Sequence, residues 1–311
     1  MENRAPEGDV MPTPPTQRLG TEPASSGGFI SVAVLWILGA LSVLVSVYAV
    51  YVLNTTAAFA TYDSQLKSDA LVSAALEMTA YRQQKTAALS RPSQGSFAFR
   101  LGQANVEVEF HSEMARIDLN AAPKPLLAGL FITLGARPED AEAYADRVIA
   151  WRTARTNEQD PEISTYRMSR LDYQPRGGKF PHPNELTLVR GLPPALVERV
   201  LPFVTTYSGS SQINVLDAAP EIVASLPGMT QDRLDAFLAQ RQGSPNAKQL
   251  LPEPTQQFVT LESGQTFRIK VRTFDSGRIA SAEVVILLFD DGDQPFAVLS
   301  WRDRSTELLG Y

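Results

Sequence analysis

Between Phe29 and Leu53 the chain runs FISVAVLWILGALSVLVSVYAVYVL, 25 residues without a charge. At a rise of about 1.5 Å per residue, a helix of this length crosses a hydrocarbon core of roughly 30 Å. A buried helix of a water-soluble core is shorter and keeps one polar face, and this stretch has none. It is also too long for the apolar region of a cleaved secretory signal. The segment therefore predicts a single membrane-spanning helix, which leaves one unbroken stretch of more than 250 residues to fold outside the bilayer.

Composition narrows what that remainder can do. The chain has 28 Lys and Arg against 34 Asp and Glu, a net charge of −6, where a general nucleic-acid binder carries a basic surface to neutralise phosphates. It has no cysteine, which excludes disulfides, thiolate zinc sites and thiol nucleophiles. Of the two histidines, His111 ends a predicted strand and His182 lies between Pro181 and Pro183; neither sits beside a nucleophile motif. Gly177-Gly178 falls in a Pro/Arg loop, not between a strand and a helix, so no phosphate loop is present. These features predict a protein that is not an enzyme.

The order of elements predicts an α+β fold. Residues 1–28, rich in Pro, Gly, Ser and charge, read as a disordered leader ending in Gly27-Gly28. Beyond the span the helix is expected to continue over residues 54–89, to about Ala87, with Leu66, Ala70, Val72, Ala75, Leu76 and Met78 at helical spacing. Ser90-Arg91-Pro92-Ser93 breaks it. Strands follow at Ser96–Arg100 and Asn105–Phe110, where Val106, Val108 and Phe110 alternate with Glu107 and Glu109. Three more are expected at Gln265–Phe274, Ala280–Phe289 and Phe296–Arg302, joined by turns at Asp275-Ser276-Gly277 and Asp290-Asp291-Gly292-Asp293. The strand-rich parts, 90–116 and 250–311, flank a helical block at 117–249, which predicts a small antiparallel sheet with a large all-helical insertion.

The helical block has an internal echo. Ile117-Asp118-Leu119-Asn120-Ala121-Ala122 opens one segment and Ile213-Asn214-Val215-Leu216-Asp217-Ala218 another, and without gaps Leu126-Leu127-Ala128 falls on Ile222-Val223-Ala224. Asn120 and Asp217 are the expected helix caps. Leu188–Val204 and Leu226–Arg241 each resemble a helix-hairpin-helix unit, with Gly191-Leu192-Pro193 and Gly228-Met229-Thr230 at the hairpins. Such hairpins grip phosphate through successive backbone N–H groups. Pro193 has no N–H and Thr230 replaces the second glycine, so nucleic acid is not expected as a ligand.

Several of these stretches carry a family resemblance. Gly28-Phe29 at the head of an apolar helix resembles the processing site of type IV prepilins and pseudopilins. "IDLNAAPKPLLAGL" followed by "ADRVIAWR", then "YRMSRLDYQPRGGKFPHPNELTLVRGL" and "INVLDAAPEIVASLPGM", are similar to the inserted helical domain of protein K of the type II (general) secretion pathway, the large minor pseudopilin. The terminal Leu299-Ser300-Trp301-Arg302 is similar to the family's last strand. Two features bear on this resemblance from opposite sides. Ala33 occupies the fifth mature position, where ordinary pilins have glutamate and the K proteins lack it. The leader, with Glu2, Glu7, Asp9 and Glu22 against Arg4 and Arg18, departs from the usual basic flank.

The resemblance implies the following expectations. A prepilin peptidase cuts between Gly28 and Phe29, and residues 29–53 anchor the chain once in the bacterial inner membrane, with its bulk in the periplasm. The subunit sits at the tip of the pseudopilus with minor pseudopilins I and J, other pseudopilus subunits and the inner-membrane platform, and initiates assembly for export of folded proteins. The alternative is a minor pilin of a type IV pilus or DNA-uptake system. The family's insertion can bind Ca2+ through acidic loops, and the candidate ligands here are Glu158, Asp160, Glu162 and Asp172. Their spacing matches no EF-hand loop, and Pro161-Glu162-Ile163-Ser164-Thr165 reads as solvated loop.

Overall fold

The computed structural model describes residues 27–87, 90–154, 161–241, 247–275, 277–290 and 294–308. The chain forms two units, Met1–Ser64 and Gln65–Tyr311. Helix α1 is continuous from Gly27 to Gln84, so the first unit ends within it.

In the second unit, α1 buries Leu71, Val72, Ala75, Leu76 and Ala80, residues one and four apart that form one helical stripe. Leu66 and Ala70, expected on that stripe, are exposed; the buried face begins one residue later. The helix also stops at Gln84, three residues short of the expected end. Against the stripe packs a five-stranded antiparallel sheet in the order β1-β2-β7-β8-β9. Its strands are β1 (Gln94–Leu101), β2 (Ala104–Ser112), β7 (Thr266–Asp275), β8 (Arg278–Leu288) and β9 (Phe296–Leu308). The last is six residues longer than the alternation predicts, because its polar end still pairs with the start of β8, Arg278 opposite Leu308.

Period-two alternation decides which face is which. Val106, Val108 and Phe110 of β2 and Phe267, Ile269 and Val271 of β7 are buried towards α1. Each contributes about 1.5–3 kcal/mol by leaving water. The opposite face is charged: the register places Glu109, Lys270, Glu283 and Arg302 in one row across β2, β7, β8 and β9. Opposite charges on neighbouring strands are favourable by about 0.2–1 kcal/mol per pair.

The helical block lies between β2 and β7, which are neighbours in the sheet, so it leaves and rejoins the sheet at one point. It contains β3 (Ile117–Asp118), α2 (Lys124–Thr133), α3 (Pro138–Arg152), α4 (Pro161–Met168), α5 (Pro194–Val200) and β4 (Val204–Thr205). Then come β5 (Ile213–Asn214), α6 (Pro220–Ala224), α7 (Gln231–Gln240) and β6 (Val259–Thr260). The block has its own core, including Leu126, Leu130, Phe131, Trp151, Ile222 and Leu226. The stretch 161–165, expected as solvated loop, is the start of α4. Pro161 suits a first helical position, and Ile163 and Tyr166, three apart, share one buried face. Tyr166 packs 6.0 Å from Trp151.

The internal echo is a repeated backbone device. β3 pairs in parallel with β4, and β5 with β6. Asp118 Oδ1 accepts from Asn120 N at 2.7 Å, and Asn214 Oδ1 from Leu216 N at 2.9 Å. Arg152 donates to the carbonyls of Leu119 and Ala122, and Arg241 to those of Val215 and Ala218. The expected caps are not formed. Pro123 and Ala219 are the N-caps of α2 and α6, without side-chain bonds. Asn120 exchanges two hydrogen bonds with the Phe180 backbone, and Asp217 accepts from the Ser93 hydroxyl. Proline within the first turn of each helix removes one N–H that a cap would serve.

Candidate anchoring and assembly site

Within α1, Ile30–Thr55 is long and apolar enough to cross a membrane, and none of it is buried by protein. Leu35, Trp36, Leu44 and Tyr51 are among the exposed large side chains. A continuous apolar surface of this size needs lipid or protein cover. The few hydroxyls are satisfied inside the helix: Ser46 donates to Ser42 O at 2.8 Å and Thr55 to Tyr51 O at 2.7 Å.

Gly28 and Phe29 lie within α1, at the start of its described part, which begins at Gly27. Residues 1–26 lie outside the described part. Ala33 lies in the apolar span, one turn beyond Phe29, and the first turn of α1 has no acidic residue. Of the four candidate calcium ligands, Glu158 and Asp160 lie outside the described residues, Glu162 is in the first turn of α4, and Asp172 is exposed in the following loop. Among the described residues no group of three or more His, Asp or Glu could hold a metal.

Sequence reasoning missed a buried ionic junction where the helical block meets the sheet. Ser112, the last residue of β2, caps the short 3-10 turn Glu113–Ala115 and places Glu113 out of solvent, 1% exposed. Arg268 of β7 donates to Glu113 through Nε at 2.6 Å and Nη2 at 3.1 Å, and to Glu283 of β8 through Nη1 at 2.6 Å. Thr205 of β4 donates its hydroxyl to Glu113 Oε2, the oxygen that also accepts from Arg268 Nη2. Burial pulls the Arg268 guanidinium down, but Glu113 and Glu283 outweigh it and hold its pKa above the ordinary value. Nearby Arg116 goes the other way, lowered by burial and by Arg268. The only signal in sequence was a serine–glutamate pair closing an alternating strand; its partners Thr205 and Arg268 lie 92 and 155 residues away.

The junction floors a cleft of about 360 Å³ between the block and the charged face of the sheet. His182 and Asn184 of the block and Ser300 and Arg302 of β9 line it. His182 Nδ1 accepts from Asn184 N at 3.1 Å, and its Nε2 lies 3.2 Å from Arg302 Nη2. The arrangement brings charged and hydrogen-bonding groups of the block and the sheet to one cleft.

Residues 105–209 match the family model described as type II secretion system (T2SS), protein K. No curated protein sequence matches the chain. The fold is similar to a chain in the crystal structure of the GspK-GspI-GspJ complex from the enterotoxigenic Escherichia coli Type 2 Secretion System. The TM-score is 0.61 at 18% identity, over 81% of this chain and 99% of that one. These findings bear out the resemblance to protein K and the α+β, pilin-like fold.

Proposed function

We propose that this chain, with its protein K match at residues 105–209, is a minor pseudopilin that caps the pseudopilus of a type II secretion system. It is anchored in the inner membrane by Ile30–Thr55 with its bulk in the periplasm, and it initiates fibre assembly with minor pseudopilins I and J. The observation that carries this reading is that one unbroken helix, α1, holds both an uncovered apolar span and the stripe that packs the sheet. That is how a subunit built to stack by its N-terminal helix is made. Two further features support the terminal position. The helical block is a large addition inserted between two adjacent strands, and a second head placed directly above would collide with it. Ala33 offers no carboxylate to the amine of a subunit ahead, and a lone carboxylate in lipid is costly.

The test is quantitative labelling of sheared fibres, with co-purification of the two smaller minor pseudopilins. The reading expects one terminal label per fibre and a complex holding all three subunits. Label along the shaft would remove the cap, and salt-dependent DNA binding without such a complex would favour a DNA-uptake pilin instead.

A further inference from the structure

The cleft between the helical block and the charged sheet face is unusual for this chain. Four cationic side chains line it, Arg116, Arg268, Lys270 and Arg302, with Glu283 as the one acidic wall residue, on a chain whose net charge is −6. Arg268 is fully engaged by Glu113 and Glu283. Lys270 and Arg302 stand opposite Glu283 in register, and Lys270 also opposite Glu109, yet among the described residues neither closes to an ion pair. Arg116, half-buried in the cleft wall, makes no side-chain hydrogen bond or ion pair among the described residues.

A second observation points at the same space. Asn184 N–H is a fixed donor and takes the lone pair of His182 Nδ1. Burial, Arg302 and Arg268 lower the imidazole's pKa, and in its neutral form the bond to Nδ1 leaves the single proton on Nε2. Nε2–H and the Arg302 Nη2–H are then two donors 3.2 Å apart with no acceptor between them. An oxyanion beside both would accept from the half-buried imidazole and the exposed guanidinium together, a charge-assisted pair of hydrogen bonds.

We propose that this cleft binds an acidic peptide segment of another protein, whose carboxylates are held by Arg302 with His182 at one end and by Arg116 with Lys270 at the other. Lys270 and Arg302 lie on strands two apart, about 9.4–9.8 Å at the usual separation, so the sheet offers two cationic anchor points for successive carboxylates. An extended segment places alternate side chains about 6.4–6.8 Å apart, and flexible side chains cover the difference. Leu201, Pro202 and Tyr207 supply an apolar wall for the peptide stem. The proposal goes beyond the pseudopilin reading and does not depend on it.

Fluorescence anisotropy of a labelled, capped Glu-Asp-Glu peptide against the full chain in detergent tests it. Expected are saturable binding that weakens with salt, no binding of the matching Gln-Asn-Gln peptide, and an affinity loss of about tenfold or more in Arg302→Gln and in Arg116→Gln. Arg302→Gln changes an exposed side chain, so it keeps the test decisive if Arg116→Gln does not fold. Equal binding by the variants and the parent, binding of the neutral peptide, or no binding at millimolar peptide would overturn the proposal. So would inorganic phosphate that saturates the site at concentrations where the acidic peptide does not bind.

Discussion

Arg268 Nε donates to Glu113 Oε1 at 2.6 Å, and the same guanidinium reaches Glu283 at 2.6 Å, so one side chain ties the start of the helical block to the middle of the sheet. Removing one partner of a buried ion pair leaves an uncompensated charge and costs about 3–5 kcal/mol. Gln65–Tyr311 is compact in itself, so a fragment beginning at Thr61 is the right background. Arg268→Ala is expected to lower its stability in urea by that amount. Replacing Arg268, Glu113 and Glu283 together by apolar residues of similar volume should cost far less, because no charge is then stranded.

Gly129 of α2 packs against the C-terminus of α6, where an added Cβ would lie 2.0 Å from Ser225 O. The obstacle is backbone, so no side chain can swing away. Gly129→Ala should lower the melting temperature of the fragment, at a cost of about 1–3 kcal/mol from overpacking or more if the helices part. Gly102→Ala is the control for simple glycine loss: it has open space around it, and only its φ of +61° is strained.

The two halves of the echo differ in polarity at one position. Asp118 Oδ2 accepts from Ser208 Oγ and Gly209 N, whereas Asn214 Nδ2 donates to Leu261 O and Glu262 O. Asn214→Asp would turn a buried carboxylate onto two carbonyls and should cost about 3 kcal/mol or more. Asp118→Asn would face an amide against the Gly209 N–H and should cost about 1–3 kcal/mol. Chemical denaturation of the two variants should show that order.

That difference also marks what could be read from sequence. The sheet was legible because Val106, Val108 and Phe110 alternate with glutamates, and the echo because apolar residues recur at one offset. The hydrogen bonds of the echo were not. Asn120 and Asp217 are good capping residues, but their partners, the Phe180 backbone and Ser93, lie 60 and 124 residues away. Residues 161–165 carry one large apolar side chain, Ile163, and its burial beside Tyr166, which packs on Trp151, is a long-range contact that the local sequence does not show. The Glu113–Arg268 junction was invisible for the same reason: a charged residue on a strand's polar face reads as solvated until its partner is known.

His182 provides a pH test. Burial, Arg302 and Arg268 lower its pKa below the ordinary 6.5. In the window just below 6.5 the unfolded chain therefore binds more protons than the folded one, and stability must fall as pH drops. His182→Gln should flatten that fall. The readout is the urea midpoint of the fragment at about pH 7.5 and about pH 5.5, where the parent should lose more than the variant. His111, also lowered by burial, keeps some slope in both.

The most direct test of the pilin-type reading is the mature N-terminus. Gly28 and Phe29 stand in the first turn of α1, at the head of the apolar span. Intact-mass and N-terminal peptide analysis of the protein extracted from membranes should find a chain beginning at Phe29. A chain still beginning at Met1, or one cut beyond Leu53 so that the span is lost, would contradict the account.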